Sequence, residues 1–355
     1  MRRRALLGAV GAAGLGFTAG CSEAVGSAFE TTASREPALV EDRPDAVYLP
    51  THREGMEMAG MGGAGDLRIG LMYSYPHRFW VMEPEDGGFV ASQVEIGRDD
   101  AVHLMATPFH EPTGAVVPST GLSVEVTRDG SLVTQEAIYP MLSQRMGFHY
   151  GANFPLPGDG SYEVSVSVGG TSVERFGPFE GLFDEPASAS VPFEYEEAAR
   201  NEIPYELLEE RAGERAALAP MEMEAMPVGR APETLPGTGL GEGERGDARF
   251  VATAVEAERF GAGTRLAVSA RTPYNRLVIP GMGLAATVTS GGETTFDGRL
   301  RPALDPDLGF HYGAQVDGLA AADEVRVAVA TPPQVARHEG YETAFLEMPP
   351  VEVTL

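Results

Sequence analysis

Along most of the chain, apolar and polar residues alternate with a period of two. In "LSVEVT", Leu122, Val124 and Val126 fall on one face, and Asp129-Gly130 follows as a turn. "YEVSVSV" repeats the pattern at Tyr162, Val164, Val166 and Val168, and "VRVAV" at Val325, Val327 and Val329. "DLRIGLMYSY" alternates large residues at Leu67, Ile69, Leu71, Tyr73 and Tyr75. Short alternating runs separated by turn residues predict antiparallel strands, and turns about every ten residues predict an all-β sandwich fold. One segment reads differently. "YELLEERAGERAAL" (205–218) suits a short acidic helix with Leu207, Leu208 and Ala212 as a weak apolar stripe.

The strand pattern occurs twice. "MGFHYGANF" (146–154) returns 162 positions later as "LGFHYGAQV" (308–316). "VVPSTGLSVEV" (116–126) matches "VIPGMGLAATV" (278–288) at the same offset, as Pro140 matches Pro302. "GDLRIGLMYSYPHRF" (65–79) lies against "GDARFVATAVEAERF" (246–260) without a gap. An offset held from strand to strand predicts tandem domains of one fold, at 46–196 and 246–355. Residues 197–245 are expected to form a helix and an acidic linker between them.

The N-terminus changes the picture. "RRRALLGAVGAAGLGFTAGC" has a twin-arginine start, a short apolar run and small residues before Cys21. It reads as an export signal over 1–21 with a lipobox-like cysteine for lipid attachment, too short and glycine-rich for a good membrane span. Thr18 stands where such boxes usually carry an aliphatic residue. Residues 22–45 read as a flexible stalk. Cys21 is the only cysteine, so no internal disulfide can form. The expected location is extracytoplasmic, anchored at the membrane surface.

Acidic residues outnumber basic ones 52 to 26, for a formal charge of −26, and every basic residue is Arg. Such a charge repels nucleic acid and suits a soluble surface of the halophilic kind. No nucleophile elbow, phosphate-binding glycine loop or zinc-protease motif occurs. A non-catalytic protein is the expectation.

Histidine and methionine are sorted unevenly. Five of seven histidines (His52, His77, His103, His110, His149) and eight methionines fall in the first domain. Imidazole suits copper, iron and zinc, and thioether sulfur favours Cu(I). His103 and Met105, two apart on the strand "AVHLMAT", share a face. Met141 begins the stretch "MLSQRMGFHYG" that delivers His149. If those two strands are neighbours, His103, Met105, Met141 and His149 can converge on one ion. "THREGMEMAGM" (51–61), with His52, Met56 and Met58, reads as a glycine-broken loop able to act as a soft-metal relay or lid. His110 reads as a surface loop residue, and Met72 and Met82 as core.

The segment "VHLMA … YPMLSQRMGFHYGANFPLPGDGSYEVSVSV", within 66–196, resembles the periplasmic metal-binding proteins of high-affinity iron transport. Those are immunoglobulin-like sandwiches that bind copper and are implicated in ferrous iron uptake beside an iron permease. The resemblance implies two tandem immunoglobulin-like domains, copper or iron as the bound ion, and a membrane permease as partner. It also implies dimerisation, here as a homodimer or as a pseudo-dimer within one chain. His103, Met141 and His149 match the family's ligands. Met105 replaces a glutamate, which softens the site, and the spacing from Met141 to His149 is one residue longer. The family's late histidine has no counterpart, because no His lies between 149 and 311. His77, His110 or the 51–61 stretch is expected to replace it.

In the second copy His103 becomes Arg265, Met105 becomes Ala267 and Met141 becomes Ala303, while His149 keeps its partner in His311. The second sandwich is therefore expected to be a degenerate scaffold, with His311 hydrogen-bonded in its own turn. A rival reading is a cell-surface interaction module of two immunoglobulin-like domains without metal.

Overall fold

Alternating valines at 122–126 and 162–168 fold as adjacent strands because each places its apolar side on a common core and its polar side in solvent. The computed structural model describes residues 38–208, 210–223 and 225–354. Cys21, the twin-arginine signal and residues 22–37 of the expected stalk lie outside the described residues.

In chain order the strands are β1 (His52–Glu54), β2 (Glu57–Ala64), β3 (Leu67–Ser74), β4 (Phe79–Glu85), β5 (Gly88–Val94), β6 (Asp100–His110), β7 (Ala115–Val116) and β8 (Leu122–Arg128). They continue as β9 (Ser131–Ser143), β10 (Gly147–Pro155), β11 (Gly160–Val168), β12 (Glu174–Arg175) and β13 (Ala187–Tyr195). A short helix α1 (Glu197–Glu202) and β14 (Tyr205–Leu207) lead to the second copy. That copy holds β15 (Thr238–Arg245), β16 (Ala248–Val255), β17 (Thr264–Arg271), β18 (Gly283–Ser290), β19 (Glu293–Asp305), β20 (Gly309–Val316), β21 (Glu324–Thr331), β22 (Ala336–Arg337) and β23 (Val351–Val353).

The two copies are immunoglobulin-like sandwiches with the same plan. The first runs β13-β11-β8-β9-β10-β6-β3-β2, the second β15-β16-β17-β20-β19-β18-β21-β23. In each, one 13-residue strand passes from one layer to the other. The first half of β9 pairs with β8 and its second half with β10, and β19 does the same with β18 and β20. The edges β2 and β13 then close on each other. Gly60 and Gly62 bring their backbone onto Val191 and Ala189, where a Cβ would stand 2.5 and 2.8 Å from those side chains. Among the described residues no helix is long and apolar enough to cross a membrane.

The sandwiches exchange short strands. β22 of the second lies parallel on β9 of the first, with Ala336 opposite Met141 and Arg337 opposite Leu142. β12 of the first lies parallel on β19 of the second, with Glu174 opposite Ala303 and Arg175 opposite Leu304. All four pairs are related by the 162-residue offset, so the contact is reciprocal. β22 also pairs with β4 through Arg337 and Trp80. The hairpin β4–β5 belongs to the first copy alone: the offset between copies falls from 181 before it to 162 after it, leaving 19 additional residues there.

Several sequence expectations are corrected. The described residues of 205–218 form no helix. Pro204 follows α1, Tyr205–Leu207 pairs antiparallel with His52–Glu54, and the chain then turns to Gly213 at a positive φ of 85°. Sheet pairing outweighs a weak apolar stripe. Residues 51–61 are not a loop but most of β1 and β2, the glycines being required for the approach to β13. The second sandwich starts at Thr238 rather than 246, because "TGLGEGER" pairs along β16 despite its glycines. His110 is buried rather than exposed. It ends β6 with Nδ1 2.8 Å from Thr113 Oγ1 and its ring against Phe179.

Arg337 is the largest fully buried side chain, and it sits in the exchanged strand. Its guanidinium donates to the carbonyls of Ala344 (2.7 Å), Pro333 (3.3 Å) and Phe345 (3.4 Å). Burial lowers its pKa to about 9. Removing it leaves three buried acceptors unserved. Arg337→Ala is expected to lower the unfolding free energy by about 3 kcal/mol in urea titrations.

Candidate metal centre

Strand register places the candidate ligands before any side chain is considered. His149 lies directly opposite Met141 on β9, Gly151 opposite Met105 on β6, and Asn153 opposite His103. Directly paired and alternate residues share a face, so all six project to the same side of the sheet. At the centre is Gly151. A Cβ there would stand 2.8 Å from His103 Nε2 and 3.1 Å from the Met141 sulfur, so only glycine leaves room for both.

Two further imidazoles close the space. His77 follows Pro76 between β3 and β4, and its ring lies 4.0 Å from that of His103. His338 follows Arg337 out of the exchanged strand, with ring centroids 4.8 Å from His77, 5.6 Å from His103 and 5.2 Å from His149. One ring nitrogen each from His77, His103 and His338 lies within 4.8 Å of the others. The Nε2 atoms of His77, His103, His149 and His338 are all buried without a hydrogen-bond partner. Buried polar atoms rarely stay unpaired, and a cluster of imidazoles facing one another in this way forms a cradle for a cation.

The opposite ring nitrogens are anchored. Asn153 accepts from the His77 backbone N–H at Oδ1 (3.3 Å) and donates from Nδ2 to the His77 carbonyl (2.9 Å). That fixes its amide, so the 2.8 Å contact from Oδ1 to His103 Nδ1 makes Nδ1 the protonated nitrogen. His149 Nδ1 donates to the Gly147 carbonyl at 3.0 Å. His77 Nδ1 faces the Tyr75 carbonyl at 3.1 Å and Glu54 Oε2 at 3.3 Å. In each ring the Nε2 lone pair is left pointing inward, the orientation that outer-shell acceptors impose on metal-binding histidines.

Burial disfavours a charge on three of these donors. Burial, and then the facing His77, hold His103 and His338 well below the ordinary histidine value; burial lowers His149 to about 4. For Glu54, burial pushes the carboxyl upward, but His77 and His52 outweigh it and hold the group well below the usual carboxylate range. The Glu54 carboxylate therefore stands beside His77 at the edge of the cradle.

Of the sequence candidates, His103, Met141, His149 and His77 meet at the centre. Met105 and Met56 line the cleft leading to it, beside His77 and His338. His52 stands at the cleft mouth, Nε2 3.1 Å from Glu54 Oε1, stacked on Tyr205. Met58 is not brought to the centre; it pairs with Met72 and packs on the core. His338 was missed. It comes from the second sandwich, and the 162-residue offset, which pairs it with Phe176, points to no ligand.

The second copy shows what replaces the cradle. His311 repeats the His149 geometry, with Nδ1 3.1 Å from the Gly309 carbonyl. Arg265 occupies the position of His103, and at Gly313 a Cβ would stand 2.6 Å from its Nε. Its Nη2 bonds Glu174 at 2.9 Å and its charge stacks on Phe176 at 4.7 Å. A guanidinium fills the space that the first copy leaves between imidazoles.

The family described as "Domain of unknown function (DUF7350)" matches residues 81–188 and 233–354, spanning parts of both sandwiches. The chain belongs to that family. No curated protein sequence matches this member of it. Among solved structures, FetP from uropathogenic Escherichia coli strain F11 is 21% identical, with TM-score 0.30 over 40% of this chain and 96% of that one. A copper-bound FetP variant gives 22% identity and TM-score 0.30 over 39% of this chain and 97% of that one. A copper-bound variant of Campylobacter jejuni P19 gives 21% identity and TM-score 0.31 over 40% and 98%.

Two outcomes are expected from this geometry. Asn153→Ala frees the His103 tautomer and should weaken metal binding about 10- to 100-fold in competition titrations. His311, with no carboxylate on its ring, is lowered from 6.5 to about 4 by burial, Arg265 adding to the effect. The unfolded chain therefore takes up this proton first, and the site's stability is complete above pH 6.5 and declines between 6.5 and 4. The decline should reach roughly 3 kcal/mol for that group. In metal-free protein, His311→Gln should flatten the fall in unfolding free energy between pH 7 and pH 4.

Proposed function

We propose that this protein is a non-catalytic, extracytoplasmic metal-binding protein whose cargo is copper in its reduced form. The observation that carries the reading is the cluster of four imidazoles whose buried Nε2 atoms have no partner, with the His103 nitrogen and the Met141 sulfur both against Gly151. Neutral imidazole and thioether donors suit a soft ion, and no carboxylate stands among the innermost donors. Glu54 balances a single positive charge, which favours Cu(I) over a divalent ion. His77, His103, His149 and His338 would hold the ion with Met141, and Met105 and Met56 would receive it in the cleft.

The finer reading extends this one. A lipid on Cys21 would hold the protein at the outer membrane surface after twin-arginine export. There it would pass copper or ferrous iron to a membrane iron permease. The two sandwiches would act as a pseudo-dimer in one chain, each lending the other a short strand.

Metal content and melting temperature after anaerobic loading with Cu(I), Cu(II) or Fe(II) test the reading. Cu(I) is expected to bind and raise the melting temperature by several degrees; Fe(II) is expected to bind more weakly. His149→Ala and His338→Ala should lose the histidine-bound ion, and His311→Ala should keep it. Loss of no metal from His338→Ala would remove the second sandwich from the site, and absence of any bound metal in the wild type would end the proposal.

A further inference from the structure

The sequence "MEMEAM" (221–226) lies between the sandwiches and takes no part in the histidine centre. The fold lays Met223 and Met226 on the outer face of β2 and β3. Met226 is buried with its sulfur over Gly70, 2.6 Å from where a Cβ would stand. Gly70 pairs with Met61 on β2, so Met61 projects to the same face beside that sulfur. Met61 is 41% exposed, large for an apolar residue on a sheet. Met61, Met223 and Met226 line one surface pocket of about 350 Å³. Arg68 and Glu111 at its rim pair at 2.6 Å, so the guanidinium presents no unbalanced charge to an incoming cation.

The same face carries a thioether row. Met58, Met72 and Met105 stand directly opposite one another across β2, β3 and β6. Met105 lines the cleft of the histidine centre. Methionine sulfur is polarizable, adaptable in position and selective for Cu(I) among biological cations.

We propose that Met61, Met223 and Met226 form a second, thioether-only Cu(I) site, on the sheet face that also carries Met58, Met72 and Met105. It rests on the proposed function for the identity of the cargo and gives the inter-sandwich segment a role as a loading position. Because it lacks imidazole, it binds more weakly and independently of pH near neutrality.

The test is anaerobic Cu(I) titration of the full chain against a chromophoric chelator. Variants are the double substitution Met61→Leu with Met223→Leu, and separately His338→Ala, with melting curves confirming folding. Wild type is expected to bind two Cu(I) per chain. The double leucine variant should lose the weaker ion and His338→Ala the tighter one. X-ray absorption of copper in His338→Ala should show sulfur scattering without imidazole. Two ions retained by the leucine variant, or a single His338-dependent ion in wild type, would overturn the second site while leaving the proposed function standing. An ion lost only from the leucine variant, with His338→Ala unchanged, would support the methionine site and count against the histidine centre.

Discussion

Two residues of parallel pairing hold this molecule's chemistry together. Ala336 and Arg337 lie on Met141 and Leu142, and the next residue, His338, enters the candidate centre from the other sandwich. An isolated pair of residues cannot hold a strand, since the entropy of ordering exceeds what one or two backbone bonds return. Arg337 supplies the difference by serving carbonyls of three residues from a fully buried position. Both terminal nitrogens of the guanidinium are occupied, although burial lowers its pKa.

The reciprocal contact shows how one architecture yields two unlike interiors. At equivalent positions the first copy has His103, Met141 and Gly151, and the second Arg265, Ala303 and Gly313. Both glycines are needed because a ligand or a guanidinium approaches the backbone there. In the first copy the buried Nε2 atoms face one another without hydrogen-bond partners. In the second, a permanent cation stacked on Phe176 and bonded to Glu174 occupies the space. The repeated histidine keeps its turn in both copies, while its inward nitrogen meets donors in one and a positive charge in the other.

The methionines follow the same logic of faces. On β2, β3 and β6 the inward positions carry Ile69, Leu71, Tyr73 and Leu104, while the outward ones carry Met58, Met72 and Met105. An outward face of methionine requires a cover, and the inter-sandwich segment provides it with more methionine. A polarizable layer adjoining a histidine cradle is a different surface from the acidic exterior that the net charge describes.

The sequence by itself determined the strands, the duplication and half of the centre. A period of two is local, a 162-residue offset is countable, and His103, Met141 and His149 needed only their strands to be neighbours, which the sheet register supplies. Local pattern failed where partners were distant. Tyr205–Leu207 became a strand because His52–Glu54 was there to pair with it, and "TGLGEGER" because β16 was. His338 stayed hidden for a stronger reason. Its place depends on how one sandwich docks on the other, and docking is set by the summed fit of two surfaces, which no spacing in the chain encodes. Only the tertiary structure could bring a histidine from the second copy to the one gap that the first left open.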